Sequence, residues 1–421
     1  MLLSTKQLLL VFISATSLLI LLFIAVTILR RILNARRHEK LDSLRDGYRL
    51  RIAQDLAAGD LWEQADAYRT NPGSLAWQAV EQVLFEQMSE ARHRPAIAGL
   101  FRSLGYVDHY EERLGRRSAI VRAAAADKLG RMQSIPSVPR LAALLRLDND
   151  EVVSVAMRSL ARLNTDEALE AVLENLARLV DSLIVSRKTV QVVLEQFTAA
   201  SPDLFIRYGK RDAGSPLVTA FLLGALASLP QNGSVVAFAT RHLASSDAEV
   251  RAKALRLLGV SGAPARGLSV DAEALVPLLQ DPLWFVRFHA VRALQNIGHA
   301  PAARRIGELL FDENWQVRNA SAAALTALGP AALDVLLDAL GHDDRYAKES
   351  ICEEMVRTHF TDRLFAYLDD GDAVLAGKAL TVLTAMHRLR FSTPLEEFLR
   401  TGAGGWARNE VRRVLAREAA S

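Results

Sequence analysis

The feature that most constrains the fold of this chain is a pattern that recurs about every 31 residues along most of its length. Each copy has acidic residues before a valine, often an arginine directly after it, a small residue four positions on and a leucine eight positions on. The clearest copies are DPLWFVRFHAVRALQNIG, which ends at Gly298, and DENWQVRNASAAALTALG, which ends at Gly329. Self-similarity at this period indicates an array of stacked repeats rather than one globular core.

A repeat of this length has room for two helices and two short turns, and each helical pair can bury its apolar faces only against its neighbours. Half of the residues are hydrophobic but only 6% are aromatic, which also favours helices over strands. The sequence therefore predicts an all-α fold, an α-solenoid of about nine to ten helical hairpins. Beside Val286 and Val317, the valine position falls at Val121, Val152, Val185, Leu217, Val250, Ala347 and Val374, with a weak last copy near Ala407.

In the second helix of each pair, the valine and the residues four, eight and eleven positions after it lie on one face, which is the predicted core face. In the clearest copy these residues are Val286, Ala290, Leu294 and Ile297. Small residues at the positions four and seven after the valine allow neighbouring helices to approach closely. They are Ala290, Ala293, Ser321 and Ala324 in the two clearest copies. The first helices are predicted at 138–147, 272–279, 303–310 and 332–340.

Acidic residues and glycines mark the turns of the repeats. Carboxylates between the two helices of a pair are predicted to cap the N-terminus of the second helix. These residues are Asp247, Asp281, Asp312 and Asp343. Gly298 and Gly329 are predicted to end their helices, because glycine readily adopts the left-handed conformation that closes a helix.

Residues 8–29 form an uncharged, strongly apolar run near the N-terminus. As a helix this run would be about 33 Å long, enough to cross a hydrocarbon core of roughly 30 Å. A cleaved signal peptide is the alternative, but the run is longer than usual for one and no small-x-small cleavage site follows it. Arginines follow the run directly, so the positive-inside rule predicts a single-pass inner-membrane protein with a cytoplasmic C-terminal domain.

The predicted organisation has five parts: a short tail (1–7), the transmembrane helix (8–29), a basic juxtamembrane amphipathic helix (30–58), a helical cap region (59–117) and the solenoid (118–421). In the juxtamembrane helix, apolar residues recur at spacings of three and four. They are Leu41, Leu44, Tyr48, Ile52 and Leu56. Residues 30–51 carry a net charge of about +5, whereas the chain from Ile52 onward is slightly acidic. The solenoid therefore lacks the overall positive charge expected of a nucleic-acid-binding surface.

The repeat pattern D-x-x-x-V-R-x-x-A-x-x-A-L-x-x-(L/I)-G resembles HEAT repeats of the phycobilisome-lyase type, from about Ser118 to the C-terminus. The segment FRSLGYVDHYEERLGRRSAIVRAAAADKLGRM, together with the N-terminal anchor, is similar to a group of bacterial membrane-tethered HEAT proteins. The resemblance implies a scaffold that binds a protein partner as an accessory factor of a membrane complex. Envelope polysaccharide synthesis is one such setting.

The sequence contains no metal-binding helix motif, nucleophile motif, phosphate-binding loop or cysteine cluster. We therefore expect no enzymatic activity, no metal, no cofactor and no small-molecule substrate. The single cysteine, Cys352, cannot form an intramolecular disulfide and is expected to be a buried apolar residue. Two other functions remain open. A chromophore-lyase-like enzyme or chaperone subunit follows from the repeat type, although the membrane anchor argues against it. A HEAT-type DNA-alkylation repair protein would need a basic, aromatic-lined groove.

The last set of candidate residues surrounds the valines of the two clearest copies. The arginines that follow the valine are expected to pair with aspartates of the turns, or to form a stripe that binds a partner. These arginines are Arg122, Arg251, Arg287 and Arg318. Tryptophans stand two positions before the valine in both copies, and tryptophan and arginine are enriched at the centres of protein interfaces. The predicted protein-binding patch is Trp284, Arg287, Phe288, Trp315 and Arg318.

Overall fold

The computed structural model describes residues 5–182, 184–211, 215–401 and 405–417. These residues form helices and connecting turns, and no β-strand occurs among them. The chain divides into two compact units, Met1–Leu163 and Asn164–Ser421. The first four residues of the predicted N-terminal tail lie outside the described part of the chain. The predicted all-α fold is confirmed.

The first unit begins with one very long helix, which covers both the predicted transmembrane segment and the predicted juxtamembrane helix. The helices of this unit are α1 Thr5–Ala58, α2 Leu75–Gln87, α3 Arg94–Ser103, α4 Tyr106–Leu114, α5 Ala119–Arg131, α6 Val138–Leu144 and α7 Asp150–Leu163. Helix α1 is 54 residues long, or about 81 Å at 1.5 Å per residue. Its described apolar residues before residue 34 are exposed, with Leu18 69% and Phe23 70% exposed.

The C-terminal part of α1 packs against α2 along the predicted amphipathic face. Leu41, Leu44, Tyr48 and Leu56 are partly buried, and Ile52 is fully buried. The Arg49 guanidinium donates to the Glu86 carboxylate at 2.9 Å, and the Tyr68 hydroxyl donates to the Asp55 carboxylate. These contacts join the end of α1 firmly to the core of its unit.

The second unit is a series of helical pairs. Its helices are α8 Asp166–Asp181, α9 Arg187–Glu195, α10 Pro202–Arg211, α11 Pro216–Leu226, α12 Gly233–Arg241, α13 Ala248–Ser261, α14 Trp284–Ile297, α15 Ala303–Glu308, α16 Trp315–Leu328, α17 Leu333–Gly341, α18 Arg345–Arg357, α19 Phe360–Leu368, α20 Ala373–Arg388, α21 Thr393–Thr401 and α22 Trp406–Arg417. A 3-10 helix, Glu273–Gln280, with Pro277 inside it, replaces the first helix before α14. The described residues thus contain eight pairs in this unit. Together with α4–α5 and α6–α7 of the first unit, the described residues form ten helical pairs. This agrees with the about nine to ten hairpins that the repeat period predicts.

The second helices of neighbouring pairs pack closely through small residues. Val286, Ala290 and Leu294 are fully buried, while Ile297 is only partly buried. A Cβ atom added at Gly259 of α13 would lie 2.8 Å from the Cα atom of Ala293 in α14. Because a backbone atom occupies that space, only glycine allows this close approach.

Three of the predicted valine positions are wrong in register. Val185 precedes its helix, Leu217 is half-buried beside the fully buried Val218, and Val374 is 66% exposed. Val250, Val317 and Ala347 are buried, and each follows the N-cap of its helix by three positions. The side chain that caps the helix sets this position, whereas the spacing from the previous copy varies with the length of the turn.

The cap predictions are partly correct. The Asp247 carboxylate accepts from the Val250 amide at 3.1 Å and caps α13 as predicted. The cap of α18 is Asp344 rather than Asp343, since the Asp344 carboxylate accepts from the Ala347 amide at 3.0 Å. Gly298 ends α14 with φ of 75°, as the sequence predicts. Gly329 ends α16 with φ of 66° and ψ of −131°, a conformation open essentially to glycine alone.

Within the described residues, two stretches are long and apolar enough to cross a membrane. One is Leu18–Ala58 of α1, whose apolar window is fully exposed; a membrane span and a signal sequence both have this character. The other, Trp315–Gly341, is mostly buried inside the second unit. It consists of α16 and α17, which belong to two successive repeats.

Candidate protein-binding surface

The arginine directly after the valine joins two successive repeats of the second unit by a buried ion pair. Arg251 donates from Nε and Nη2 to the two carboxylate oxygens of Asp281, at 2.8 and 3.0 Å. Arg287 repeats the arrangement with Asp312, at 2.7 and 2.8 Å. Each guanidinium also donates to backbone carbonyls of its own turn. The predicted pairing with aspartate is therefore confirmed for Arg251 and Arg287.

This pairing corrects the role predicted for Asp281 and Asp312. Neither residue is the N-cap of the following helix, a position that Leu283 and Asn314 occupy. The two carboxylates accept instead from backbone amides two residues on, Leu283 at 3.0 Å and Asn314 at 2.9 Å. Their main partners are the arginines of the preceding repeat, so they fix the packing between repeats as well as the local turn.

The other two arginines of the predicted ladder differ. The Arg318 guanidinium donates to the backbone carbonyls of Asp312 and Glu313, at 2.8 and 3.2 Å, and is partly exposed. Arg122 has a buried Nε atom without a hydrogen-bond partner in the part of the chain that the structure describes. The aspartate ladder thus covers Arg251 and Arg287 but does not extend to Arg122 or Arg318.

The five residues of the predicted protein-binding patch occupy different depths. Trp284 and Trp315, each the first residue of its helix, are 38% and 61% exposed. Phe288 is half-buried, not exposed, and its ring lies edge-on to His289 at 5.2 Å. Arg287 is 8% exposed, and its hydrogen bond to Asp312 raises the pKa of its guanidinium. We call Trp284, Arg287, Phe288, Trp315 and Arg318 together the tryptophan surface. Arg287 lies beneath its exposed residues. The partner-binding role of this surface stays a prediction.

The outward face of α14 continues from Trp284 at intervals of four residues, through Phe288 and Arg292 to Asn296. Beside this face lies a hollow of about 300 Å³ between α13 and α14. It is lined by Arg256, Gly259, Val260, Phe288, His289, Arg292, Ala293 and Asn296. We call it the α13–α14 hollow. It shares Phe288 with the tryptophan surface, so the two are continuous.

Sequence reasoning missed Arg256, His289 and Arg292. The signal that could have found the two arginines is their position six residues after the valines Val250 and Val286, on the outward face. His289 is half-buried, and burial lowers its pKa to about 4, with the charges of Arg256, Lys253 and Arg292 acting in the same direction. Its imidazole is therefore neutral at pH 7 and can both donate and accept a hydrogen bond.

The described residues contain no group of three or more histidine, cysteine, aspartate or glutamate side chains that could hold a metal ion. Cys352 is buried, and burial raises the pKa of its thiol to about 12. A thiol in this environment remains protonated at pH 7 and is a poor nucleophile. The chemistry available at the tryptophan surface and the α13–α14 hollow is non-covalent binding through aromatic rings, guanidinium groups and amides.

Comparison with known proteins agrees with the repeat pattern. A family model for HEAT repeats matches residues 236–306 and 272–356, which include the tryptophan surface. HEAT repeats are therefore present in this part of the chain, as the sequence predicts, whereas the phycobilisome-lyase type stays a prediction. No curated protein matches this chain.

Several solved structures are similar to this chain. An engineered protein from the Northeast Structural Genomics Consortium is 20% identical, with 73% of this chain and 98% of that one covered and a TM-score of 0.37. Kap121p bound to Nup53p is 13% identical, with 86% and 51% covered and a TM-score of 0.36. Kap121p bound to Ste12p is 13% identical, with 86% and 50% covered and a TM-score of 0.39.

Proposed function

We propose that this protein is a membrane-tethered scaffold whose second helices bind a protein partner through the tryptophan surface. The observation that carries this proposal is the exposure of Trp284 and Trp315 at the same position of two successive repeats. A buried indole would stabilise the fold, but an exposed one contributes little to it. Indole and guanidinium groups are the side chains that most often dominate the free energy of protein association.

The structure of this surface supports a rigid binding site. The ion pairs of Arg251 and Arg287 fix the two turns that carry the tryptophans, and the close contact of α13 with α14 fixes the helices behind them. A surface held in this way loses little conformational entropy when a partner binds. Arg318 lies at its edge with a partly exposed guanidinium, available for a charged or polar group of the partner.

The membrane tether is the second part of the proposal. The apolar side chains of α1 that the structure describes before residue 34 are exposed, and a bilayer would cover them with lipid, since the apolar run is long enough to cross its hydrocarbon core. Within this stretch the Thr27 hydroxyl donates to the Phe23 carbonyl at 2.8 Å, so its polar group needs no water. The basic residues that follow support a cytoplasmic C-terminal domain in a single-pass inner-membrane protein. There the scaffold would act as an accessory factor of a membrane complex, such as one that builds envelope polysaccharide.

The proposed orientation predicts the behaviour of C-terminal reporter fusions. Green fluorescent protein fused after Ser421 should fluoresce in the membrane fraction, and alkaline phosphatase fused there should be inactive, because the positive-inside rule retains the C-terminus in the cytoplasm. The control is a variant with glutamine in place of the arginines at 30, 31, 36 and 37 and with two arginines added before residue 8. In this variant the fluorescence should fall and the phosphatase activity should rise. An active phosphatase fusion with a dark fluorescent one would contradict the orientation.

Site-specific photo-crosslinking tests the scaffold proposal. A photoreactive phenylalanine analogue at position 315 of the full-length protein should crosslink one protein partner in native membranes. The same analogue at position 304, an exposed arginine of the first helix α15, is the matched control and should give no such product. Equal yields of the same product from both positions, or none from position 315, would rule out the tryptophan surface as the binding site.

A further inference from the structure

We infer that the α13–α14 hollow receives carboxylate side chains of an acidic peptide segment of the partner, while an apolar side chain of the same segment lies against Trp284 and Trp315. This inference rests on the proposed function, and it specifies the chemistry of the partner. Its first support is the composition of the hollow. Two arginines, one histidine and one asparagine line it, and no carboxylate is among its lining residues.

The second support is the contrast between paired and unpaired arginines on the same two helices. Arg251 and Arg287 each donate two hydrogen bonds to an aspartate carboxylate and are nearly buried. Arg256 and Arg292 are exposed, and neither has a carboxylate within ion-pair distance among the residues described. Arg292 has only a 3.4 Å hydrogen bond to the Gln295 side chain of its own helix. An acidic ligand could therefore engage both guanidinium groups without breaking an existing ion pair.

The charges around His289 favour the same kind of ligand. Lys253 and Arg256 face it from α13, and Arg292 faces it from α14. Lys253 has one acidic neighbour, Glu249, at 3.7 Å on its own helix. Three cations around a neutral imidazole leave a local positive potential, which an incoming carboxylate would neutralise.

The geometry of α14 relates the acidic and apolar parts of the ligand. Trp284 and Arg292 are eight residues apart on one face, which is about 12 Å along the helix axis. An extended peptide covers this distance in about four residues at 3.3 Å each. Phe288 lies between them as a half-buried aromatic floor. The ligand should thus have an acidic residue about four positions from a large apolar residue. Because the surface includes aromatic and amide groups beside the cations, it suits a peptide better than a lipid headgroup.

Peptide binding to the full-length protein in detergent micelles tests the inference. The probe is a fluorescein-labelled twelve-residue peptide with a phenylalanine four positions from two glutamates, and the control peptide has glutamine in place of both glutamates. Binding of the acidic peptide, measured by fluorescence anisotropy, should weaken as salt is raised from about 50 to 500 mM. Substituting Arg256→Gln and Arg292→Gln together should weaken it about tenfold, the expected effect of losing two exposed charge interactions.

The matched control variant is Arg241→Gln with Arg304→Gln, which removes two exposed arginines from the first helices and should leave peptide binding unchanged. Selective ¹³C-histidine labelling adds an independent readout, since the acidic peptide should raise the pKa of His289 and the glutamine peptide should not. Equal binding of the acidic and the glutamine peptide would overturn the inference. So would an equal loss of acidic-peptide binding in the Arg256→Gln, Arg292→Gln variant and in the Arg241→Gln, Arg304→Gln variant. Stronger binding to vesicles of anionic lipid than to the peptide, dependent on Arg256 and Arg292, would also overturn it.

The two proposals can fail separately. If the analogue at position 315 crosslinks its partner equally well in the Arg256→Gln, Arg292→Gln variant, the scaffold stands and the acidic-ligand inference fails. If the acidic peptide requires both arginines but position 315 yields no partner, the hollow binds acidic ligands and the proposed scaffold function fails.

Discussion

Replacing Asp281 with alanine is expected to lower the free energy of local unfolding of α14 by about 3 kcal/mol or more. The Asp281 side chain is only 4% exposed, and it accepts two hydrogen bonds from Arg251 and one from the Leu283 amide. Its removal leaves a nearly buried guanidinium without its counter-charge. Native-state hydrogen exchange of the full-length protein in detergent micelles measures the effect, because it reports the stability of individual repeats.

Variants of two other aspartates distinguish the loss of an ion pair from the loss of a helix cap. Asp344→Ala removes a helix cap without an ion pair and should cost about 1 kcal/mol. Asp343→Ala, at the exposed position that the sequence indicates as the cap, should change stability by less than about 0.5 kcal/mol. A double-mutant cycle of Asp281→Ala with Arg251→Ala should give a favourable coupling energy. A loss of only about 1 kcal/mol for Asp281→Ala would show that this carboxylate stabilises only the local turn, through the Leu283 amide, and that the ion pair contributes little.

Replacing Trp284 and Trp315 together with alanine is expected to weaken binding of the protein partner by about 100- to 1,000-fold. Each indole at the centre of an interface contributes at least about 2 kcal/mol to the free energy of binding, and every 1.4 kcal/mol is a factor of ten. Both indoles are too exposed for their removal to create a core cavity. The helical melting temperature should therefore stay within a few degrees of the wild-type value.

Trp406 provides the matched control for this pair. It is also the first residue of a second helix, α22, and it is 50% exposed, but it lies four repeats after Trp284. Trp406→Ala should leave partner binding unchanged. The measurement is quantitative recovery of the crosslinked or co-purified partner from membranes, together with the thermal unfolding of each variant by circular dichroism. Retention of the partner by the Trp284, Trp315 variant, or a melting temperature much lower than that of wild type, would contradict the prediction.

Much of the fold could be predicted from the sequence because local chemistry repeats with the period. The spacing of Val286, Ala290 and Leu294 indicates a buried helical face, and the glycines at 298 and 329 mark the ends of two helices. The continuous helix through residues 8–58 also follows from composition, since no proline interrupts it and its apolar residues keep a helical spacing. In each case the residues that decide the structure are close to one another in the chain.

Register and side-chain depth could not be predicted in the same way. The misplaced positions Val185, Leu217 and Val374 follow variable turns, where the capping side chain rather than the residue count fixes the start of a helix. The partners of Asp281 and Asp312 lie 30 and 25 residues earlier in the chain, so sequence spacing alone could not distinguish an ion pair between repeats from a helix cap.

The candidate site shows the same division. The sequence by itself determined that two tryptophans and two arginines recur at equal positions in successive repeats, because that pattern lies within single helices. Only the tertiary structure decided that Arg287 is buried against Asp312 and that Phe288 is half-buried. It also brought Arg256 of α13 beside His289 and Arg292 of α14. The physical reason is that burial and charge pairing depend on the neighbouring repeat, whose distance and orientation follow from packing between helices far apart in the chain.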